Sequence, residues 1–293
     1  MSIVLQLLIN GLIAGSIYAL VASGFSLVYN IQKFFHIAHG AIFVVSAFLA
    51  YTFNIILGLP LWSSIILTII AAAFIGILVD FLVYKPLRKN KNPELALFLV
   101  SFGVFIFIQS LVLLFFGAEV RSFGLPVEKG MDFFGAIITP LQVVIIVVSL
   151  VSLVLLYVFL KKTKLGKALR AMADDKETAS TLGINVEKLT ILTFGLSSSL
   201  AAVAGILVGL EQHLEQAMGF MAILKGITAA IIGGIGNVPA SIIGGYFLGI
   251  VENYGIWFLP SGYKDAIAFV ILILFLLFRP RGLFGTKKRK DVG

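Results

Sequence analysis

The sequence predicts an all-α bundle of membrane-spanning helices. Of its 293 residues, 60% are hydrophobic and only 12% are charged, whereas about 25% of residues are charged in an ordinary soluble domain. The apolar residues lie in long continuous runs, close to the roughly 20 residues that a helix needs to cross a bilayer. Backbone groups in hydrocarbon must be hydrogen-bonded internally, which requires a helix bundle or a closed barrel. Continuous rather than alternating apolar runs favour helices.

Nine apolar segments lie along the chain and predict about eight to nine membrane segments in a single transmembrane domain over residues 1–293. The segments are 3–29, 38–58, 61–83, 93–117, 140–160, 186–210, 222–236, 240–258 and 264–279. Segment 222–236 is short for a full crossing and ends in glycines and a proline. We therefore expect it to be a broken or re-entrant helix.

Three of these segments begin with helix-capping signals. Asn92 precedes Pro93, and Thr139 precedes Pro140, so each pair places a capping side chain ahead of a proline at the first helical position. Asn185 precedes the segment that begins at residue 186 and is expected to cap it.

The distribution of charge predicts the orientation of the chain. The basic residues form three clusters: Lys85, Arg88, Lys89 and Lys91; Lys161, Lys162, Lys164, Lys167, Arg170 and Lys176; and Arg279, Arg281, Lys287, Lys288, Arg289 and Lys290. The loops between them carry acidic residues instead: Glu119, Glu128, Asp132, Glu211 and Glu215. The positive-inside rule places the basic loops and a basic tail, 286–293, in the cytoplasm, and the N-terminus outside. The net charge of +8 is thus a topology signal, and no nucleic-acid partner is expected.

The longest loops, about 118–139 and 161–185, are too small to fold alone. An energy source or a high-affinity ligand-binding domain must therefore be supplied by another chain. The sequence also lacks a G-x-x-x-x-G-K-[ST] phosphate loop, a G-x-S-x-G elbow and an H-E-x-x-H helix. We expect no catalytic residue and no cofactor bound by this chain.

The inner loop 161–185 predicts two short amphipathic helices. The first places its apolar residues on one face: Leu165, Leu169, Met172 and Ala173. Asp174 is expected to cap the second helix, with Glu177 at its third position and Gly183 ending it in a left-handed turn. Such a loop either rests on the lipid headgroups or docks a soluble partner.

Four stretches of the sequence carry a family resemblance: IQKFFHIAHG at 31–40, GKALRAMADDKETASTLGIN at 166–185, KGITAAIIGGIGNVPASIIGG at 225–245 and YKDAIAFVILILFLLFRPRGLFG at 263–285. Together they closely resemble the membrane permeases of high-affinity branched-chain amino acid ABC importers, and the short chain resembles the H-type subunit. The likeness extends over nearly the whole chain.

This resemblance implies a prokaryotic plasma-membrane permease that pairs with a second, homologous permease. Two cytoplasmic ATPase subunits would use the ATP, and an extracytoplasmic binding protein would deliver the solute. The resemblance also makes loop 161–185 the ATPase contact, or coupling loop. Its candidate residues are Gly166, Leu169, Arg170, Ala173, Asp174, Asp175, Ala179, Leu182 and Gly183.

Two positions depart from the family pattern N-F-A-H-G-E. This chain has His36 in place of the Asn and Ala41 in place of the Glu, so no role of that Glu can be transferred. Related permeases for urea and short amides share much of the pattern. Urea, short amides and other amino acids therefore stay open as alternative substrates.

Glycine pairs at four-residue spacing predict close helix packing. The pairs are Gly11 with Gly15, Gly205 with Gly209, and Gly245 with Gly249. A different group, Gly233, Gly234, Gly236 and Pro239, places consecutive helix breakers at membrane depth. Such a break either lines a transport pathway, acts as a hinge or makes a simple turn.

Ionisable residues inside the apolar segments are candidates for the translocation path. Glu252 lies well inside segment 240–258 and either lines the path, pairs with a neighbouring helix or lies near the outer surface. Asp80 is expected at the interface. His39 and Gly40 are also candidates for the path. His36 and His39 have no nearby cysteine or carboxylate, so we expect no metal site. The competing class of function is a secondary transporter or channel that works alone, driven by an ion gradient through Glu252 and the broken segment.

Overall fold

The computed structural model describes residues 3–89, 93–126 and 129–284 and confirms the all-α prediction. In these ranges the helices are α1 Ile3–Gln32, α2 Ala38–Tyr51, α3 Leu61–Val79, α4 Lys85–Lys89, α5 Glu94–Phe116, α6 Pro140–Lys162, α7 Lys164–Asp174, α8 Lys176–Thr181, α9 Val186–Glu211, α10 Met218–Gly233, α11 Val238–Gly255 and α12 Lys264–Phe278. Short π-helical turns, Thr52–Ile56 and Asp80–Tyr84, extend α2 and join α3 to α4. Lys91, Asn92, Glu128 and the tail 286–293 with its four basic residues lie outside the described residues.

Local sequence signals explain most helix starts. Thr139 and Gln142 form a reciprocal capping box at the start of α6, with Pro140 at the first position. The Asn185 side chain accepts a hydrogen bond from the Lys188 backbone N–H, as predicted. Pro93 differs from its prediction: it has an extended backbone and precedes α5, whose first helical residue is Glu94.

The described residues contain seven helices long and apolar enough to cross a membrane, plus one bent pair. The pair is α10 and α11, which meet at an angle of 114°. This confirms the break predicted near residues 233–239, although α10 begins at Met218, earlier than expected. The observed helices agree with the predicted eight to nine membrane segments.

A small hairpin lies in the loop that precedes α6. Its antiparallel strands are β1 Met131–Phe133 and β2 Ala136–Ile138. The Gln6 side chain of α1 exchanges two hydrogen bonds with the backbone of Ile137, at 2.7 and 3.0 Å. The hairpin is thereby attached to the start of α1.

The helices α1 and α11 form the centre of the bundle and approach each other through glycine. A Cβ added at Gly249 would come within 2.5 Å of the Gly15 Cα, and one added at Gly245 within 2.5 Å of the Ala19 backbone nitrogen. Side chains at these positions would force the two backbones apart. The predicted packing role of these glycines is therefore confirmed.

Contacts between helix ends distinguish two ends of the bundle. At the end that we call the basic end, Lys85 of α4 forms an ion pair with Glu187 of α9. The Leu283 backbone N–H donates to the Ile232 carbonyl at the α10–α11 break, at 2.8 Å. At the other end, which we call the acidic end, Gln142 Nε2 donates to Glu211 Oε1 at 3.2 Å.

The outer faces of α3, α5, α6 and α12 are covered by large apolar side chains. Phe74, Leu114, Leu155 and Leu277 are among those that are more than 60% exposed. The opposite face of α3 buries small residues such as Ser64 and Ala72. This pattern is expected where the outer surface contacts lipid instead of water.

Candidate functional sites at the two ends of the bundle

The corner between α6 and α7 is held by three polar contacts. Thr163 caps α7, since its Oγ1 accepts from the Gly166 N–H at 2.9 Å and donates to the Phe159 carbonyl at 2.7 Å. Arg170 Nη1 donates to the Leu160 carbonyl at 2.5 Å. A Cβ at Gly166 would lie 2.6 Å from the Leu160 Cα, so the corner requires glycine.

The helix α8 begins one residue later than the sequence indicated. Asp175, and not Asp174, is its N-cap, because Asp175 has the extended backbone of a capping residue while Asp174 completes α7. Asp175 Oδ1 accepts from the N–H groups of Thr178 and Glu177, at 3.0 and 2.8 Å, and these donors hold the pKa of Asp175 below its ordinary value. Gly183 ends the helix with a φ of +81°, as predicted.

The candidate coupling residues divide into an inward and an outward set. Leu169 and Ala179 are each 2% exposed and pack with Met172, Ile31 of α1 and Leu189 of α9. Gly166 is buried and Ala173 is half-buried. The remaining candidates are exposed: Arg170, Asp174, Asp175, Leu182 and Gly183. Leu165, expected on the same face as Leu169, is 50% exposed. We call α7 and α8 together the α7–α8 platform.

Lys176 ties the platform to the membrane helices. Its Nζ donates to Gln32 Oε1 at 3.1 Å, and Gln32 Nε2 donates to Thr190 Oγ1 at 3.0 Å, which joins α8, α1 and α9 in sequence. Burial, with the charges of Arg88 and Lys33, lowers the pKa of Lys176 to about 8. In the sequence Lys176 is only a topology signal, because its anchoring role depends on Gln32, which lies 144 residues away in the chain.

The predicted breakers form a capped turn at the basic end. Gly234 and Gly236 have φ values of +132° and +80°, and the Asn237 side chain caps α11 by accepting from the Ala240 N–H. Gly233 packs directly against the Ala240 backbone, and Pro239 occupies the first turn of α11. The turn lines a cavity of about 660 Å³ together with residues of α1, α6 and α7, among them Asn30 and Arg170.

Glu252 is fully buried near the acidic end, within an ionic network of which the sequence predicts only the pairing of Glu252 with a neighbouring helix. Its carboxylate accepts from Tyr18 at 2.6 Å and pairs with Lys225 at 2.8 Å. Lys225 also pairs with Asp265 at 2.7 Å and donates to the Tyr18 hydroxyl at 3.1 Å. The network joins α1, α10, α11 and α12. Lys225, the only basic residue of α10, was the signal for it, since a charge within an apolar run requires a partner.

A second cavity, of about 450 Å³, opens beside this network at the acidic end. Polar groups on its lining are Asn10, Tyr18, Gln142, Glu211, Gln212, Lys225, Asn253 and Lys264. Apolar side chains of α1, α2, α9 and α10 complete the wall. Glu252 and the glycine turn therefore lie near opposite ends of the bundle and do not form one site.

A comparison with protein families matches residues 7–276 to a family described as "Branched-chain amino acid transport system / permease component". The chain belongs to this family. The chain is 35% identical to a curated relative over 98% of both chains. This relative is the high-affinity branched-chain amino acid transport system permease protein BraD of Pseudomonas aeruginosa. The corresponding LivH protein of Escherichia coli is 36% identical, over 98% of this chain and 97% of the relative.

A solved structure shares the fold of this permease family member. The structure titled "PsaBC from Streptococcus pneumoniae in complex with Fab" matches with a TM-score of 0.53 and covers 93% of this chain and 91% of that chain. Its sequence identity of 14% limits the comparison to architecture. The family match and the helices long enough to cross a membrane make the chain a multi-pass membrane permease component, and the curated relatives are named as permease proteins of transport systems.

His36 and Ala41, the two positions expected from the sequence to differ from the family pattern, lie in the core, as do His39 and Gly40. His36 Nδ1 is 3.1 Å from the Tyr84 hydroxyl, and His39 Nδ1 is 3.2 Å from Ser197 Oγ. Ala41 is buried and Gly40 packs against Ile223 of α10. Among the described residues, no group of three or more potential metal ligands occurs.

Proposed function

We propose that the chain is the membrane permease subunit of an ATP-binding cassette importer that carries leucine, isoleucine and valine across the prokaryotic plasma membrane. It would pair with a second, homologous permease to enclose the path. Two cytoplasmic ATPase subunits would supply the energy and an extracytoplasmic binding protein would supply the solute. The family membership supports the permease role, and the substrate follows the printed names of the relatives.

The observation that carries the proposal is the construction of the α7–α8 platform. Its inward face is packed on α1 and α9 and its corner is hydrogen-bonded to the end of α6. Its outward face exposes Leu182 to 75% and Leu165 to 50%. A rigid, partly apolar element that is anchored to three membrane helices is suited to receive a soluble partner and to transmit its motion.

The positive-inside rule supports a cytoplasmic position for the basic end. Lys85, Arg88 and Lys89 lie there with the described basic residues of loop 161–185 and with Arg279 and Arg281. The C-terminus would then be cytoplasmic, and the acidic end with its cavity would face the outside, where the binding protein docks.

The chemistry of this system would belong to the ATPase subunits, and this chain would bind no cofactor. Closure of the ATPases on ATP would move the platform. Because Lys176 and Gln32 connect the platform to α1, and Arg170 connects it to α6, that motion would shift the helices that line both cavities. The result would be a change in population between outward and inward access.

The experiment is uptake of radiolabelled leucine into proteoliposomes that contain both permeases and both ATPases, with the binding protein added outside. We expect uptake that requires both the binding protein outside the vesicles and ATP on the side where the ATPases lie. Leucine transport by the purified chain alone, driven by an ion gradient, would instead indicate a secondary transporter. Uptake of urea or a short amide, with no uptake of leucine, would assign the chain to the alternative substrates.

A further inference from the structure

The cavity at the acidic end is lined by one acid and one base that form no ion pair within the described part of the chain. Glu211, the last residue of α9, accepts one hydrogen bond from the neutral Gln142 side chain. It forms no ion pair with any residue that the structure describes. Glu211 lines the 450 Å³ cavity, and no described residue compensates its charge.

Lys264, the first residue of α12, is the corresponding base. Its Nζ donates to Asn253 Oδ1 at 3.1 Å, and Asn253 is in turn held by the Gly249 carbonyl at 2.8 Å. Across the described ranges Lys264 has no acidic partner. An ammonium has three donors, so two remain for a ligand in the cavity.

Lys225 also lines the cavity but is not available in the same way. Its three donors are directed to Glu252, Asp265 and the Tyr18 hydroxyl, at 2.7 to 3.1 Å. It is a fixed part of the cavity lining. The two groups free to bind charge are Glu211 and Lys264.

The rest of the lining is suited to an aliphatic side chain. Ile13, Ile17 and Val21 of α1 lie on the cavity wall with Phe43 of α2, Val208 of α9 and Met218 of α10. The volume of about 450 Å³ lies within the roughly 300–1,000 Å³ of small-molecule pockets. Methionine side chains adapt to different aliphatic shapes, which suits a site that accepts several of them.

We propose that this cavity binds the zwitterion of a free aliphatic α-amino acid, with Glu211 accepting the ammonium and Lys264 donating to the carboxylate. The proposal rests on the proposed transport function and names the groups that recognise its solute. A neutral solute such as urea would leave both charges of the cavity uncompensated, and a polar site rejects ligands that leave its groups unpaired. The pair therefore selects for amino acids.

The test measures leucine binding to the permease–ATPase complex in nanodiscs, without the binding protein, by scintillation proximity. Isocaproate lacks the ammonium of leucine, and isoamylamine lacks its carboxylate. In the wild-type complex each analogue should bind at least about tenfold more weakly than leucine, the usual effect of losing a charge-assisted hydrogen bond. In Glu211→Gln the preference for leucine over isocaproate should disappear, whereas the preference over isoamylamine should remain. In Lys264→Met the reverse should hold.

Conservative and distant variants separate recognition from a structural role. Glu211→Asp and Lys264→Arg keep their charges and should keep both preferences; Glu119→Gln and Lys129→Met, at exposed positions of the acidic end, should behave as wild type. If the wild-type complex does not bind leucine, or if the Gln and Met variants retain both preferences, the assignment is overturned. ATP-dependent leucine uptake by the same preparation tests the proposed function separately, so the two can fail independently.

Discussion

Replacing Lys225 by methionine should strongly destabilise the bundle. The substitution keeps the length and apolar stem of the side chain but removes the cation that pairs with Glu252 at 2.8 Å. Glu252 is 0% exposed and would retain only the Tyr18 hydroxyl at 2.6 Å. A buried carboxylate that loses its partner costs about 3–5 kcal/mol. The pair of Lys225 with Asp265, which is 46% exposed, adds at most about 1 kcal/mol.

The free energy of unfolding is best measured by reversible SDS titration in mixed micelles, followed by tryptophan fluorescence. We expect Lys225→Met to lose about 3–5 kcal/mol. The double variant Lys225→Met with Glu252→Gln should recover most of that loss, because a neutral amide replaces the orphaned charge. The control, Lys129→Met at an exposed position, should stay within about 0.5 kcal/mol of wild type. A single variant that loses less than about 1 kcal/mol, or a double variant no more stable than the single one, would refute the reasoning.

Three further predictions concern packing, pH and docking. Gly249→Ala should cost about 1–3 kcal/mol in the same titration, whereas Gly103→Ala, where a Cβ has open space, should not destabilise. The free energy of unfolding should rise between about pH 8 and pH 10.5. Lys176 has a pKa of about 8 in the folded chain and an ordinary value of 10.5, so in this pH range the unfolded chain binds more protons than the folded one. Lys176→Met should weaken this rise. Leu182→Asp should reduce co-purification of the ATPase at least about tenfold, and Leu125→Asp, exposed at the acidic end, should not; equal retention of the ATPase by both would contradict the docking role.

The membrane helices could be predicted because their signals are local. Thr139 with Pro140, and Asn185, each act on the next few residues, and continuous apolar runs specify length and burial together. The failures at such sites were shifts of one residue. Asp174 and Asp175 are chemically equivalent capping residues, and only the backbone conformation shows that Asp175 is the cap.

The sites were less predictable because they join residues that are distant in the chain. Glu252 could be identified as buried from its surroundings alone, but its partners Lys225 and Tyr18 lie 27 and 234 residues away. The cavity at the acidic end depends on where α9 ends and α12 begins, so Glu211 and Lys264 resemble ordinary loop charges in the sequence. Without the packing of the helices that line this cavity, nothing distinguishes them from Glu215 or Lys129.

The last described residues have a mechanical consequence for the hairpin of α10 and α11. Leu283 and Phe284 donate backbone hydrogen bonds to the carbonyls of Ile232 and Gly233, at 2.8 and 2.9 Å. These bonds attach the segment that follows α12 to the turn between α10 and α11. At the opposite end of α12, the ion pair of Asp265 with Lys225 attaches α12 to α10. A helix that is attached at both ends cannot slide past its neighbours. We therefore expect α10, α11 and α12 to move as one rigid body whenever the bundle changes conformation.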